Sequence, residues 1–248
     1  MVRFVTSSRR RIHSSTLALP SSEFALTHCS SISVSMAGKS PHNKNCLLKV
    51  IILGDGGVGK SCLMNRFVNN HFDDHSFHTI GVEFLNKEMR IKNDTYTLQI
   101  WDTAGQERFK SLRTPFYRGS DICMLTFAVD DESSFQSLTM WKNEFIYYSD
   151  IKDGSAFPFV VVANKVDIPV DKRKVTEEEA RNWCKECGDL PYIETSAKDA
   201  INVDLAFDMA VDVWSRLEAE MDRQNLAHDT IKIRQGQNLR KDTCCGLF

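Results

Sequence analysis

Four apolar runs read as buried strands and two further stretches as a hairpin, and their order predicts the fold. Leu47-Leu48-Lys49-Val50-Ile51-Ile52-Leu53 is a nearly continuous apolar run that stops at glycine, as a strand covered on both faces should read. A helical stretch from Ser61 to about Asn70 follows it. Val82–Arg90 and Tyr96–Trp101 flank the short polar segment Lys92-Asn93-Asp94 and read as a hairpin. Further buried runs fall at Ile122–Val129, Phe157–Ala163 and, briefly, Tyr192–Glu194, with helical segments between them. Thr176-Glu177-Glu178-Glu179 opens one of these helices with a capping box, and Ile201–Glu220 forms the last long amphipathic helix. Alternating buried strands and helices predict an α/β domain: a six-stranded, mostly parallel sheet with helices on both faces and one antiparallel strand. Ligands of such sheets sit at the carboxyl ends of the strands, and the informative motifs fall there.

The first of these motifs is Gly54-Asp55-Gly56-Gly57-Val58-Gly59-Lys60-Ser61, which matches G-x-x-x-x-G-K-[ST] between a strand and a helix. Glycines let successive backbone N–H groups turn inward around an anion, and the helix N-terminus adds the positive end of its dipole. The loop, from Gly54, Gly56, Gly57, Val58 and Gly59 through Cys62 just behind it, is therefore expected to bind phosphates in a P-loop NTPase fold. Lys60 is expected to reach the β- and γ-phosphates, and the Ser61 hydroxyl to bind Mg²⁺. The loop alone says nothing of the base.

Base choice is read from Asn164-Lys165-Val166-Asp167, which follows a buried strand directly. A carboxylate at Asp167 accepts two hydrogen bonds from the N1–H and N2 amino group of guanine; adenine lacks that pair and would leave the carboxylate unpaired. Lys165 can lay its stem over the base plane. Ser196-Ala197-Lys198, after the last short strand, can add backbone contacts to the guanine carbonyl. Asp102-Thr103-Ala104-Gly105-Gln106 closes another strand: Asp102 is placed to hold Mg²⁺ through water, the Gly105 N–H to meet the γ-phosphate, and Gln106 to orient an attacking water. Thr79, in the polar stretch after the first helix, is expected to complete the Mg²⁺ and γ-phosphate contacts, so that both segments order with GTP and relax after hydrolysis. His71, His75 and His78 share this stretch at metal-like spacings, but no acid or cysteine cluster accompanies them, and they read as solvated loop residues. Phe72 is expected to pack against the ribose and base edge.

The motifs, their order and their spacing resemble the Ras superfamily, and within it the Rab family. Ile80-Gly81-Val82-Glu83-Phe84, Arg108-Phe109-Lys110-Ser111-Leu112 and Tyr117-Arg118-Gly119-Ser120-Asp121 are similar to Rab stretches. Arg113-Thr114-Pro115-Phe116-Tyr117 and Phe145-Ile146-Tyr147-Tyr148 resemble the late-endosomal Rab subfamily numbered nine. The resemblance covers about Cys46 to Leu217. It implies a switch that cycles between GDP and GTP, recruits effectors and regulates vesicle traffic between late endosomes and the trans-Golgi network. It also implies an exchange factor, a GAP and a GDP-dissociation inhibitor as partners. Exposed Phe84, Trp101 and Phe116 match the family's effector-binding aromatic triad, with Phe116 where many Rabs have Tyr. Gly56 matches the position where a minimal side chain leaves room for a GAP. Family GAPs supply an arginine and a glutamine, so Gln106 matters most in the intrinsic reaction, which a GAP accelerates about 10⁵-fold in the best-known relative.

Composition changes this picture at the two ends. With 42% apolar and 26% charged residues and a formal net charge of −2, the chain has no whole-protein drive toward nucleic acid. No apolar run is long enough to span a bilayer. Residues 1–35 hold ten serines, four arginines and one acid, a composition like a transit peptide; the favoured reading is an extension upstream of Met36, because the C-terminus carries a competing address. Residues 1–45 are thus expected to be a disordered extension, 46–220 the GTPase domain and 221–248 a flexible tail. The tail ends in Cys244-Cys245-Gly246-Leu247-Phe248, which resembles a Rab double-geranylgeranylation site and also fits C-a-a-X. The expected location is the cytoplasmic face of late-endosomal or trans-Golgi membranes, with a cytosolic pool. The eight cysteines form no disulfide framework, and Cys184-Lys185-Glu186-Cys187 is a lone C-x-x-C in a helix, read as ordinary helix residues. The sequon Asn93-Asp94-Thr95 reads as a turn. Two rivals remain: a P-loop kinase, which would not need the Asn164–Asp167 motif, and a nucleotide-locked membrane scaffold, against which Gln106 and Gly56 argue.

Overall fold

In the computed structural model, residues 45–73, 79, 81–106, 109–151 and 154–236 are described. The N-terminal extension and the terminal Cys244 and Cys245 lie outside them, as do His75 and His78.

The six expected strands form one sheet in the order β2-β3-β1-β4-β5-β6. β1 (Asn45–Leu53) pairs in parallel with β3 (Asp94–Thr103) on one side and β4 (Ile122–Ala128) on the other. β5 (Phe159–Asn164) and β6 (Tyr192–Glu194) extend the parallel part. β2 (Val82–Ile91) is the single antiparallel strand, joined to β3 by the two-residue turn Lys92-Asn93 and registered so that Phe84 faces Trp101. Lys92 holds φ 57°, in the left-handed region that such tight hairpin turns demand.

Side-chain alternation divides the core. Val50 and Ile52 of β1, with Ile122, Met124, Val160 and Val162, meet α1 (Lys60–Asn69) and α6 (Val203–Gly236). There the Phe67 and Phe207 rings stack with centroids 3.8 Å apart. Ile51 and Leu53, with Cys123, Leu125, Val161 and Ala163, pack on the other face against α4 (Leu138–Ser149) and α5 (Glu177–Glu186), where Trp141 and Phe145 are fully buried. A strand with partners on both faces must be apolar at every position, which is why these runs did not alternate in sequence. Two further short α-helices lie among the described residues: α2 (Lys110–Arg113) and α3 (Glu132–Gln136).

Thr176 caps α5, its Oγ1 accepting from the Glu179 N–H at 3.2 Å. Cys184 packs into the core from that helix, and among the described residues no group of His, Cys, Asp or Glu forms a metal cluster. One boundary departs from expectation. α6 does not stop near Glu220 but runs to Gly236. The apolar period ends there, yet no proline or glycine interrupts the segment until Gly236, so the backbone ladder continues where the amphipathic pattern does not.

Candidate functional site

The carboxyl ends of β1, β3 and β5 surround a cleft of about 400 Å³. The loop after β1 forms its floor. Gly54 sits at φ 148° against β4, where a Cβ would come within 2.0 Å of the Thr126 carbonyl oxygen, so only glycine fits. Gly59 precedes α1 at φ 94°, with no side-chain hydrogen bond at the cap among the described residues. The N–H groups of the first helical turn therefore remain for an anion. Lys60 Nζ donates to the Gly54 and Asp55 carbonyl oxygens, both at 2.8 Å, which holds the ammonium across the loop. Burial lowers the Lys60 ammonium to about 8 against the opposing charges of Asp102 and Asp55, an environment that an anionic ligand would relieve. Gly56, Gly57, Gly59, Lys60, Ser61 and Cys62 line the cleft; Gly54 and the buried Val58 lie behind it and act through their backbones.

Three oxygens meet beside Lys60. Ser61 Oγ donates to Asp102 Oδ2 at 2.5 Å, Thr79 Oγ1 donates to the same oxygen at 3.2 Å, and the two hydroxyls lie 2.8 Å apart. Asp102 is fully buried at the end of β3, and its Oδ1 has no hydrogen-bond partner among the described residues. Burial raises its pKa above the usual carboxylate range, while Lys60 and the two hydroxyls pull the other way. A buried carboxylate beside two hydroxyls is a donor set of hard oxygens, and it fits a small divalent cation such as Mg²⁺.

Asn164, Lys165 and Asp167 line the far end with Ala197 and Lys198. Asn164 spends its amide on the scaffold: Nδ2 donates to the Val58 carbonyl at 2.8 Å, and Oδ1 accepts from Thr195 Oγ1 and the Ala197 N–H at 3.2 and 3.3 Å. It ties three loops together. Asp167 Oδ1 accepts from Ser196 Oγ at 2.6 Å, so Ser196 acts behind the cleft, orienting that carboxylate. Lys165 holds φ 69°, and its ammonium lies 3.6 Å from Asp130 Oδ1. Arg66 went unread in the sequence: it donates to the Ala197 and Lys198 carbonyls at 2.8 and 2.9 Å, pinning the loop from α1. Phe72 lines the cleft as expected but also packs on the α1–α6 core. His71 is exposed.

Gly105 and Gln106 reach the cleft from the end of β3. A Cβ on Gly105 would fall 2.4–2.5 Å from the Asp55, Gly54 and Gly56 backbone, so the two loops can touch only through glycine. Gly56 faces the Gln106 side chain, whose Cγ would lie 3.4 Å from an added methyl. Away from the cleft, Trp101 stacks on Phe84 at 4.7 Å and lies 5.2 Å from Phe116. Phe84 and Phe116 are exposed, whereas Trp101 is half-buried against the α4 side of the core, so it supports the triad more than it presents itself. Lys49 braces this patch, donating to the Phe116 and Arg118 carbonyls at 2.6 and 2.8 Å with its ammonium 5.0 Å over Trp101.

A sequence profile described as "Ras family" matches residues 49–215. The human "Ras-related protein Rab-9B" is 58% identical over 201 residues, covering 81% of this chain and 98% of that protein. The human "Ras-related protein Rab-9A" is 57% identical over 212 residues, 85% of this chain and all of the relative. The Arabidopsis thaliana "Ras-related protein RABG3c" is 47% identical over 202 residues, 81% of this chain and 97% of the relative.

Proposed function

This chain belongs to the Ras family, as a Rab GTPase similar to Rab-9 that hydrolyses GTP to GDP, and from that premise we propose that it is a Mg²⁺-dependent membrane switch of vesicle traffic, serving transport between late endosomes and the trans-Golgi network. The observation that carries the reading is the single cleft in which an anion-binding helix start, converging hard oxygens and the Asp167 carboxylate meet. Lys60 and the loop N–H groups hold the β- and γ-phosphates. Ser61 and Thr79, with Asp102, hold Mg²⁺, which when bound neutralises charge on those phosphates. Asp167, steadied by Ser196, accepts the N1–H and N2 protons of guanine, and Gln106 orients the attacking water. Gly105 and Thr79 sense the γ-phosphate, so the segments carrying them differ between the GTP and GDP states.

That difference is read at Phe84, Trp101 and Phe116, which lie on and beside the same strands and form the surface for effectors. An exchange factor, a GAP and a GDP-dissociation inhibitor complete the cycle, and geranylgeranyl groups on Cys244 and Cys245 attach it to the membrane. Calorimetry on the purified chain tests the core of the reading. GTP should bind far more tightly than ATP, and Asp167→Asn should weaken GTP by about 10²-fold or more, because the new amide donates where guanine also donates. Equal affinity for ATP and GTP would remove the guanine assignment.

A further inference from the structure

Arg113 is charged yet only 2% exposed, on the one-turn helix α2, and none of the site motifs uses it. Burying a guanidinium is costly unless its donors are occupied and its charge is balanced. Both conditions are met. Arg113 Nε donates to Glu144 Oε1 and to the Tyr117 hydroxyl oxygen, each at 3.1 Å, and Nη2 donates to Glu144 Oε2 at 3.3 Å. Tyr117 donates to Glu144 Oε1 at 2.9 Å, and the Lys110 ammonium lies 3.0 Å from Oε2. The guanidinium is thus fixed to α4, an element of the core.

The remaining nitrogen, Nη1, turns this anchor toward the site. It donates to the Gln106 carbonyl oxygen at 2.8 Å, with the Ala104 carbonyl at 3.5 Å. The guanidinium also lies 4.4 Å over the Trp141 ring, and Trp141 Nε1 donates to Asp55 Oδ1 in the phosphate loop at 2.7 Å. One buried unit on α4 therefore holds both loops that face the γ-phosphate position, the first through Trp141 and the second through Arg113. We infer that Arg113 is a positioning residue for GTP hydrolysis: anchored by Glu144 and Tyr117, it fixes the Gln106 backbone so that the Gln106 side chain meets the attacking water. The inference rests on Gln106 as the water-orienting residue. Lysine would not replace Arg113, since a single ammonium cannot span a bidentate carboxylate and a carbonyl on opposite sides.

The test is a double-mutant cycle on the full chain: wild type, Arg113→Met, Gln106→Ala and the double variant, each loaded with GTP and followed through a single turnover. A displacement of about 1 Å at a reacting group can cost up to about 10²-fold, so Arg113→Met should slow hydrolysis by about 10-fold or more. The double variant should be no slower than Gln106→Ala, because residues that act as a unit are not additive. Loss of the same factor in both backgrounds would mean a general structural role and would overturn the inference. So would an unchanged rate in folded Arg113→Met. If Gln106→Ala itself turns over at the wild-type rate, the reading of Gln106 fails and takes the inference with it. Should Arg113→Met not fold, Glu144→Gln enters the same cycle: a slowing that vanishes in the Gln106→Ala background supports the inference, and any other result overturns it.

Discussion

Glu144 shows how one side chain's environment becomes a property of the protein. Burial alone would raise its pKa, but hydrogen bonds from Arg113, Lys110 and Tyr117 and the Arg113 charge outweigh that and hold it below the ordinary 4.5. A carboxylate whose folded pKa is depressed contributes stability above its unfolded pKa and loses it as pH falls through the folded value. The window is therefore acidic, beginning near pH 4.5 and extending below it. Glu144→Gln keeps the shape but leaves the buried Arg113 without its counter-charge, and breaking such a pair costs about 3 kcal/mol. Thermal unfolding of the two proteins should differ most near neutral pH, and the gap should narrow steadily below about pH 4.5. A gap independent of pH would show that the charge of Glu144 contributes nothing. The Asp102 carboxylate shifts the opposite way: burial raises it, and Lys60 with the Ser61 and Thr79 hydroxyls does not outweigh that burial. The two acids separate a structural ion pair from the proposed Mg²⁺ site.

Among the elements, the sheet was the most legible part of the chain: strands buried on both faces, as in β4 and β5, advertise themselves as unbroken apolar runs, and β2 and β3 read as a hairpin around a short polar turn. All six were visible, including the three-residue β6. The strand ends were less so: β3 begins at Asp94, inside the polar segment that reads as turn, because pairing with β2 overrides the local signal. The phosphate loop and the Asn164–Asp167 motif were legible for a different reason, since their chemistry is local in sequence. The struts behind them were not. Trp141 meets Asp55 and Glu144 meets Arg113 only because α4 packs under β1 and β4, and no spacing rule links residues 86 or 31 positions apart. The extent of α6 was hidden as well, since polarity ends an amphipathic pattern without ending a helix. Where α6 matters to the fold is nearer its start. Phe207 is fully buried and stacked on Phe67, so it locks α6 to α1, the helix that presents the phosphate-binding turn. Phe207→Ala should cost about 3–5 kcal/mol in urea unfolding, read as a lower midpoint at unchanged slope. A loss within about 1 kcal/mol would mean the two helices do not depend on this contact.

For the whole molecule, the question is how a switch proposed to act on a membrane would stay there. The net charge of −2 gives no general attraction to an anionic surface, and no helix among the described residues is long and apolar enough to cross a bilayer. The proposed anchor is covalent, on Cys244 and Cys245, which follow the long helix α6 in the sequence. A single lipid chain binds reversibly and weakly, whereas two hold stably, because each buried methylene adds about 0.8 kcal/mol and the second chain nearly doubles their number. This makes the pair of cysteines a graded test. In cell fractionation the wild-type chain should sediment with membranes, Cys244→Ser or Cys245→Ser alone should distribute between pellet and supernatant, and the double substitution should be soluble. The double variant should still hydrolyse GTP at the wild-type rate, since the proposed anchor serves location alone. Membrane binding that survives the double substitution would assign the anchor to another part of the chain. Unequal loss, with one single variant as soluble as the double, would instead mean that this cysteine must be modified before the other, and that attachment is sequential and not additive.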